Sequence, residues 1–310
     1  MKKLLYLILF CVSMLMVGCK SDEPNSPTDT PDTPNTPETP VNPDEPNDDG
    51  ENNVLDPSND PCGIDKAVFV PKPFSVSAEN KVVFSSGNLQ YHPANDEWRF
   101  ASTQLCFVGA DNVNIASTYQ GWIDLFGDGT GANPTNASMD YQNDYNTLVD
   151  WGVNWIGDDA PYTWRSLSME EWYYLLALRA NAKDKLGIAQ VCGVNGLILL
   201  PDNWEAPMGV TFKAGGYEAS EVITYASFQS FTGDEWILLA GSGAVFLPAA
   251  GNRAGVNVNL VGQNGLYRGF YNDGFDGTSK EYLHMEAGNV SIGIAPRNLG
   301  GSVRLVKDVQ

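Results

Sequence analysis

The chain has 310 residues, a formal net charge of −20 and only two histidines. The residues from 62 onward are themselves net acidic, so they lack the basic surface that nucleic-acid phosphates require, and we expect no nucleic-acid partner. Two histidines exclude a three-histidine metal centre. The sequence also contains no Gly-x-Ser-x-Gly nucleophile elbow, which argues against serine hydrolase chemistry.

Residues 1–18 have the pattern of a secretory signal peptide. Lys2 and Lys3 precede an uncharged apolar run over residues 4–18, which would span roughly 22 Å as a helix, short of the ~30 Å hydrocarbon core. The segment Leu15–Cys19 resembles the lipobox of bacterial lipoproteins. This resemblance implies cleavage before Cys19, lipidation of Cys19 and a stable membrane anchor. The alternative is an ordinary signal peptide that happens to contain a cysteine.

Residues 19–61 are predicted to be a disordered, acidic, proline-rich linker. Its first residues, Lys20–Glu23, resemble the acidic export signal of Bacteroidetes-type lipoproteins, which implies an outer-membrane protein facing the cell exterior. From Pro31 to Pro46 a proline recurs at every third residue. Proline excludes helix and sheet, and like charges extend the chain. We expect a spacer, with a motif for a proline-binding module as the alternative.

Residues 62–310 are predicted to form one α+β domain. Alternating apolar residues predict two hairpins, within 74–84 and within 89–100. Two capping boxes, at Ser168–Glu171 and Thr232–Glu235, predict the starts of two main helices. Each helix is followed by an apolar strand, predicted at Gly196–Pro201 and at Ala244–Pro248. Short strands among glycines come after these, and the last is predicted at Ser302–Val306.

Several segments together resemble a group of gut Bacteroidetes surface lipoproteins. These segments are Phe84–Tyr91, Thr118–Gly127, Val194–Pro201, Val245–Gly251 and Gly301–Val306. The domain of that group is similar to the Fibrobacter major paralogous domain and, more distantly, to formylglycine-generating-enzyme-like domains. The resemblance implies a C-type-lectin-like fold, with a mixed, mostly antiparallel sheet, two main helices and long loops. Arg268 replaces a tryptophan that is customary in the group, so the ligand preference is not carried over.

Three cysteines remain once Cys11 leaves with the signal peptide and Cys19 is lipidated. Cys62, Cys106 and Cys192 allow three different single disulfides, and the sequence does not choose among them. Cys106 lies in an apolar stretch that we interpret as a buried strand, with an inert thiol. No cysteine follows Cys192, so the late cysteine pair that holds copper in formylglycine-generating oxidases is missing, and we expect that activity to be absent.

Other candidate chemistry has ordinary explanations. Paired carboxylates such as Asp158–Asp159, Glu170–Glu171 and Asp273 with Asp276 arise by chance in so acidic a chain, so we do not expect a glycosidase. The oxygen-rich segment Asn272–Glu281 fails the register of a helix-loop-helix calcium site. We therefore expect no metal and no cofactor. His92 and His284 are interpreted as surface or strand residues, and Trp98, Trp172 and Trp236 as core residues.

The strongest candidate for a ligand site is the segment 251–276. Tyrosine and asparagine supply rigid aromatic area and adaptable amide groups, as in antibody paratopes. The predicted ligand-binding residues are Asn252, Arg253, Asn264, Tyr267, Arg268, Tyr271, Asn272 and Asp273. We expect alanine at Tyr267, Arg268 and Tyr271 to abolish ligand capture without changing the melting temperature.

A second aromatic set occupies the glycine- and aspartate-rich stretch 127–161 and the residues after it. Its members are Tyr141, Tyr145, Trp151, Trp155 and Tyr162. They either form an exposed stacking platform for sugars or pack beneath a long loop. The sequence as a whole predicts a non-enzymatic surface domain for binding or adhesion to a glycan or a protein. A structural subunit or tip of a surface appendage is the alternative.

Overall fold

The computed structural model describes residues 61–62, 69–136, 148–218, 224–270, 279–286 and 288–309. All of them belong to one unit, Asn52–Gln310. The architecture is mixed α+β, with many short strands and few helices, so the expected fold class is confirmed at this level. The predicted signal peptide and all but the last residue of the predicted linker lie outside the described residues.

The two predicted hairpins at the start of the domain are confirmed. Strand β1 (Phe74–Ser75) pairs antiparallel with β2 (Lys81–Phe84), and β3 (Leu89–His92) pairs antiparallel with β4 (Glu97–Phe100). In β2 the side chains alternate, because Val82 and Phe84 are buried whereas Lys81 is exposed. This period of two is the pattern from which the sequence predicted a half-buried strand.

A four-stranded sheet forms the centre of the domain, with the strand order β7-β5-β6-β8. Its strands are β5 (Leu186–Val191), β6 (Val194–Leu199), β7 (Ser230–Phe231) and β8 (Val245–Pro248). β6 is antiparallel to both of its neighbours. β8 and most of β6 are buried. This burial agrees with the continuous apolar runs from which the sequence predicted both strands. β5 was not predicted, since Gly187 and Gln190 interrupt its apolar pattern.

Both predicted helices begin at their capping boxes. At α1 (Met169–Tyr173) the Ser168 Oγ accepts from the Glu171 backbone N–H, and the Glu171 carboxylate accepts from the Ser168 backbone N–H. At α3 (Gly233–Gly241) Thr232 and Glu235 make the same two hydrogen bonds. A short α2 (Tyr225–Phe228) lies between them. Within the described residues, no helix has the length and the apolar character needed to cross a membrane.

After α1 the chain changes its helical geometry. Residues Tyr174–Leu178 form a π-helical turn, in which the hydrogen bonds span five residues. Single turns of 3₁₀-helix occur elsewhere, at Gly109–Val113, Trp151–Val153 and Ala182–Asp184.

The C-terminal third contains small antiparallel sheets. One joins β9 (Asn252–Ala254) to β10 (Asn257–Asn259). Another has the order β11-β12-β13 and comprises β11 (Gly265–Arg268), β12 (Ser279–Glu286) and β13 (Asn289–Pro296). Strand β14 (Val306–Asp308) pairs with β2. The prediction of a strand over Ser302–Val306 was wrong in its bounds, because residues 302–305 are buried but make only an isolated bridge, at Ser302.

A disulfide joins Cys62 to Cys192, with a Cα–Cα distance of 5.6 Å. It connects the start of the domain to the turn between β5 and β6. Cys106 is a free, buried thiol, as expected. The predicted strand around it was wrong, because Cys106 lies in a loop, where its Sγ accepts a hydrogen bond from the Ser102 hydroxyl at 3.2 Å. The prediction that Trp98, Trp172 and Trp236 are core residues is confirmed, each in a separate apolar cluster.

Candidate functional site

The predicted binding segment 251–276 does not form one exposed surface. Three of its eight predicted ligand residues, Arg253, Tyr267 and Arg268, are buried, with at most 2% of each residue exposed. Their assignment to a ligand surface was therefore wrong. Tyr271, Asn272 and Asp273 lie outside the described residues. Only Asn252 and Asn264 are partly exposed in the described part of this set.

Tyr267 is a core residue of β11. Its hydroxyl donates to the Pro248 carbonyl at 2.9 Å and accepts from the Asn88 side-chain amide at 3.2 Å. The pKa of Tyr267 is raised, chiefly by burial. The strand is covered because its backbone also bridges to Gly251 and Ser302. The amphipathic ring thus fills the interior and satisfies its polar end with protein groups.

Arg268 is the next residue of β11 and is equally enclosed. Its guanidinium donates to the Pro296 carbonyl at 2.8 Å and to the Leu299 carbonyl. The buried Asp128 carboxylate lies close enough that Arg268 and Arg297 oppose the rise that burial causes in its pKa. Arg268 is therefore a structural cation in the domain interior.

Arg253 and Asn252 belong to the β9–β10 hairpin. The Arg253 guanidinium donates from Nε and Nη2 to the Leu125 carbonyl, at 3.1 and 2.9 Å, and from Nη1 to the Gly255 carbonyl at 3.1 Å. Arg253 thus fixes the hairpin to the distant segment around Leu125. Asn252 is paired with Asn259 in the ladder and is half-buried.

Of the predicted residues that the structure describes, Asn264 lines a clear pocket. We call this pocket, of about 500 Å³, the amide pocket. Its polar side chains come from five parts of the chain and are Gln190, Asn195, Thr224, Tyr225, Gln263, Asn264 and Glu286. Sequence reasoning missed the members outside 251–276, because no local pattern brings β5, β6, α2 and β12 together.

A tight turn before β11 positions Gln263 and Asn264. Leu260 and Gly262 have φ values of 58° and 74°, a left-handed conformation that glycine adopts at little cost. The Leu260 carbonyl accepts from the backbone N–H groups of Gln263 and Asn264, both at 3.0 Å. The turn is joined to the central sheet, because the Gly262 N–H donates to the Ala249 carbonyl at 2.8 Å.

Hydrogen bonds hold the walls of the amide pocket in place. Tyr225, at the start of α2, donates its hydroxyl to the Gln263 carbonyl at 3.0 Å. Asn195 donates to the Gly262 carbonyl at 2.8 Å and accepts from the Gln190 amide at 3.0 Å. The sheet, α2 and the turn therefore form a rigid frame around the pocket.

The side chains of Gln263, Asn264 and Glu286 remain available in this frame. None of the three makes a side-chain hydrogen bond to another described residue. Glu286 lies close enough to Tyr225 to add to the rise that burial causes in the pKa of the phenol. The pocket thus offers amide donors, amide acceptors and one carboxylate beside an aromatic ring.

The aromatic residues around 127–161 divide into buried and exposed members. Trp151 is fully buried, whereas Trp155 and Tyr162 are 63% and 79% exposed. The two exposed rings flank a turn that an Ile156–Asp159 bridge closes. Tyr141 and Tyr145 lie outside the described residues. Packing beneath a loop therefore explains Trp151 but does not explain Trp155 and Tyr162.

A second concavity, which we call the acidic groove, has a volume of about 710 Å³. Its walls come from α1, the π-helical turn, the facing strands β12 and β13, and the two residues after β1. The residues on which its chemistry depends are Met169, Glu170, Tyr173, Tyr174, Glu281 and Ile292.

Two of the paired carboxylates, Asp159 and Glu171, have structural partners. Asp159 accepts from the Trp164 indole N–H at 2.9 Å, and Glu171 belongs to its capping box. Asp273 and Asp276 lie outside the described residues. His92 and His284 are strand residues, and burial lowers the pKa of His284. Among the described residues, no group of three or more His, Cys, Asp or Glu could hold a metal ion.

No protein-family model, no curated protein and no solved structure matches this chain. The case for a function therefore depends on the chemistry of the sites and not on the fold.

Proposed function

We propose that this chain is a lipid-anchored protein of the outer cell surface whose domain, residues 62–310, has a C-type-lectin-like fold and binds a glycan without catalysing a reaction. The binding site is the amide pocket. The observation that carries the proposal is the presence of three polar side chains, Gln263, Asn264 and Glu286, that are available inside a rigid pocket.

The chemistry of the amide pocket suits a polyhydroxylated ligand. A sugar hydroxyl both donates and accepts a hydrogen bond, and the side-chain amides of Gln263 and Asn264 do the same. Glu286 adds a strong acceptor beside Tyr225, whose ring is buried, with 3% of the residue exposed. A volume of about 500 Å³ lies within the range of small-ligand pockets.

The rigid frame favours binding because little order has to be created when the ligand arrives. Tyr225 and Asn195 already donate hydrogen bonds to the carbonyl groups of Gln263 and Gly262 in the free protein. Ordering a side chain or a loop would otherwise subtract from the affinity.

The same pocket is poorly suited to sugar hydrolysis. Both the retaining and the inverting mechanisms need two carboxyl groups on either side of the scissile bond. Among the described residues that line the amide pocket, Glu286 is the only carboxylate. We therefore propose a binding protein and not a glycosidase.

The anchor is proposed from the N-terminal sequence. The apolar run 4–18, Cys19 and the acidic proline-rich segment that follows would hold the domain at a distance from the membrane. A Cys19→Ala variant should leave the membrane fraction, and mass spectrometry of the wild-type N-terminus should find acyl chains on Cys19. An unmodified Cys19 in a protein free in the periplasm would contradict this part of the proposal.

A glycan array tests the binding function. Wild type should give a saturable signal with one class of glycan, and Asn264→Ala should lose it. Asn257→Ala is the matched control, because Asn257 is an exposed asparagine of the same segment outside the amide pocket. An array without any signal, together with co-purification of a protein partner, would support the appendage subunit instead.

A further inference from the structure

The acidic groove has an apolar interior. Tyr173, Tyr174 and Ile292 line it together with Met169, which lies against the core. Its volume of about 710 Å³ matches the pockets that bury most of a small organic molecule. Its described lining residues offer hydroxyl and carboxylate groups but no side-chain amide, so the groove differs in kind from the amide pocket.

The charged residues that line the groove have one sign. All of them are glutamates, namely Glu170, Glu171 and Glu281. Glu171 is neutralised, because Arg165 donates to its two carboxylate oxygens at 2.8 Å. Arg165 in turn pairs with Asp308 at 2.7 Å, so this cation faces two carboxylates.

Glu170 is the carboxylate left for a ligand. It is exposed and makes no side-chain hydrogen bond or ion pair with another described residue. Because the groove is negative and apolar at once, it complements a molecule that carries a positive charge on an apolar body.

Two features of the backbone and surface support a binding role here. The π-helical turn Tyr174–Leu178 forms part of the wall, and such turns are rare and frequently occur at functional sites. Tyr173 and Leu178 line the groove and are 46% and 57% exposed. Ile294 extends this apolar surface, because it lies two residues after Ile292 on the same face of β13. Clustered exposed apolar side chains mark interaction sites.

We propose that the acidic groove binds a small organic ammonium ion with an aromatic or alkyl body. The body lies among Met169, Tyr174 and Ile292, and the ammonium group meets Glu170 and the ring of Tyr173. A cation gains from the negative face of a tyrosine ring as well as from the carboxylate. This site is separate from the amide pocket and does not depend on the proposed glycan function.

Calorimetric titration of the purified full-length chain tests the proposal, with 4-phenylbutylammonium chloride as the probe. Two matched probes, 4-phenylbutanol and 4-phenylbutyrate, keep the apolar body and change the charge. We expect saturable binding of the amine, weaker binding of the alcohol and the weakest binding of the carboxylate. Glu170→Gln should weaken amine binding about twofold to fivefold, the size of an exposed ion pair.

Asp234→Asn is the matched control for Glu170→Gln. Both acids occupy the second helical position after the N-cap residue of a capping box, Glu170 in α1 and Asp234 in α3. Both variants therefore remove the same interaction with a helix N-terminus, but only Glu170 lines the groove. Asp234→Asn should bind the amine as wild type does.

A second pair of variants tests the aromatic wall. Tyr173→Ala should weaken amine binding, whereas Tyr162→Ala, at an exposed tyrosine outside the groove, should not. Absence of amine binding would overturn the proposal, and so would equal affinity for the amine and the alcohol with no effect of Glu170→Gln. Binding of a lysine-containing peptide but not of the amine would overturn it in favour of a protein-docking surface.

Discussion

The turn before β11 and β11 itself are adjacent in the chain and have opposite environments. Gln263 and Asn264 face the amide pocket, whereas Tyr267 and Arg268, a few residues later, are buried. Both pairs combine polar groups that could contact a ligand. The two pairs differ in their hydrogen-bond partners. Tyr267 and Arg268 donate to carbonyl groups of the protein itself, whereas the side chains of Gln263 and Asn264 make no hydrogen bond to another described residue. A polar side chain is therefore a candidate for binding only when the fold leaves it without a partner.

The largest expected effect comes from Tyr267→Ala. Removing a fully buried aromatic ring should lower the free energy of unfolding by about 3–5 kcal/mol. This reverses the expectation from the sequence that the melting temperature would not change. Urea unfolding of wild type, Tyr267→Ala and Asn264→Ala would measure the contrast. A loss below ~1 kcal/mol in Tyr267→Ala would show that the ring is not part of the core.

The next effect concerns the disulfide and separates stability from binding. Cys62 and Cys192 are 130 residues apart, and opening so long a loop should lower the free energy of unfolding by about 2–4 kcal/mol. The double variant Cys62→Ser/Cys192→Ser should nevertheless bind the glycan as wild type does at 25 °C, since neither cysteine lines the amide pocket. Equal losses in stability and affinity would show that the pocket is not rigid by itself.

The buried surroundings of β11 should also respond to pH. Burial raises the pKa of Asp124 to about 6 from an ordinary value of 3.8, against the hydrogen bonds from Asn112 and from the Val108 N–H. The folded state binds the proton of the Asp124 carboxyl more tightly than the unfolded state does. Asp124 therefore adds to the free energy of unfolding below pH 4. This contribution is lost as the pH rises from 4 to 6.

The measurement is the difference in unfolding free energy between wild type and Asp124→Asn as a function of pH. Between pH 4 and 7, wild type should lose at most about 3 kcal/mol of unfolding free energy relative to Asp124→Asn. A pH-independent difference would mean that Asp124 stays ionised in the folded protein.

Much of the fold could be predicted from the sequence where local rules apply. Ser168 with Glu171 and Thr232 with Glu235 are reciprocal caps that four consecutive residues determine. The hairpins of β1–β2 and β3–β4 follow from alternation and a nearby turn. The cysteine pairing could not be predicted, because three bonds satisfied the same chemistry and only the packing of the β5–β6 turn against Cys62 selects one.

The candidate site could be predicted only in part, for the same reason. Asn264 was identified from composition, yet Gln190, Asn195, Tyr225 and Glu286 come from four other elements. Tyr267 and Arg268 were assigned to the surface because they lie in a segment rich in tyrosine and asparagine, which are typical of binding loops. Their burial depends on the bridges of β11 to Gly251 and Ser302, which join segments far apart in the sequence.

The smallest change in stability is expected for Asn264→Ala, the variant that tests the amide pocket as the glycan site most directly. The glycan selected on the array is titrated into wild type and Asn264→Ala, and the free energy of unfolding is measured on the same samples. We predict about tenfold weaker binding with stability unchanged within ~0.5 kcal/mol. Unchanged affinity in Asn264→Ala would contradict the assignment of the amide pocket as the glycan site.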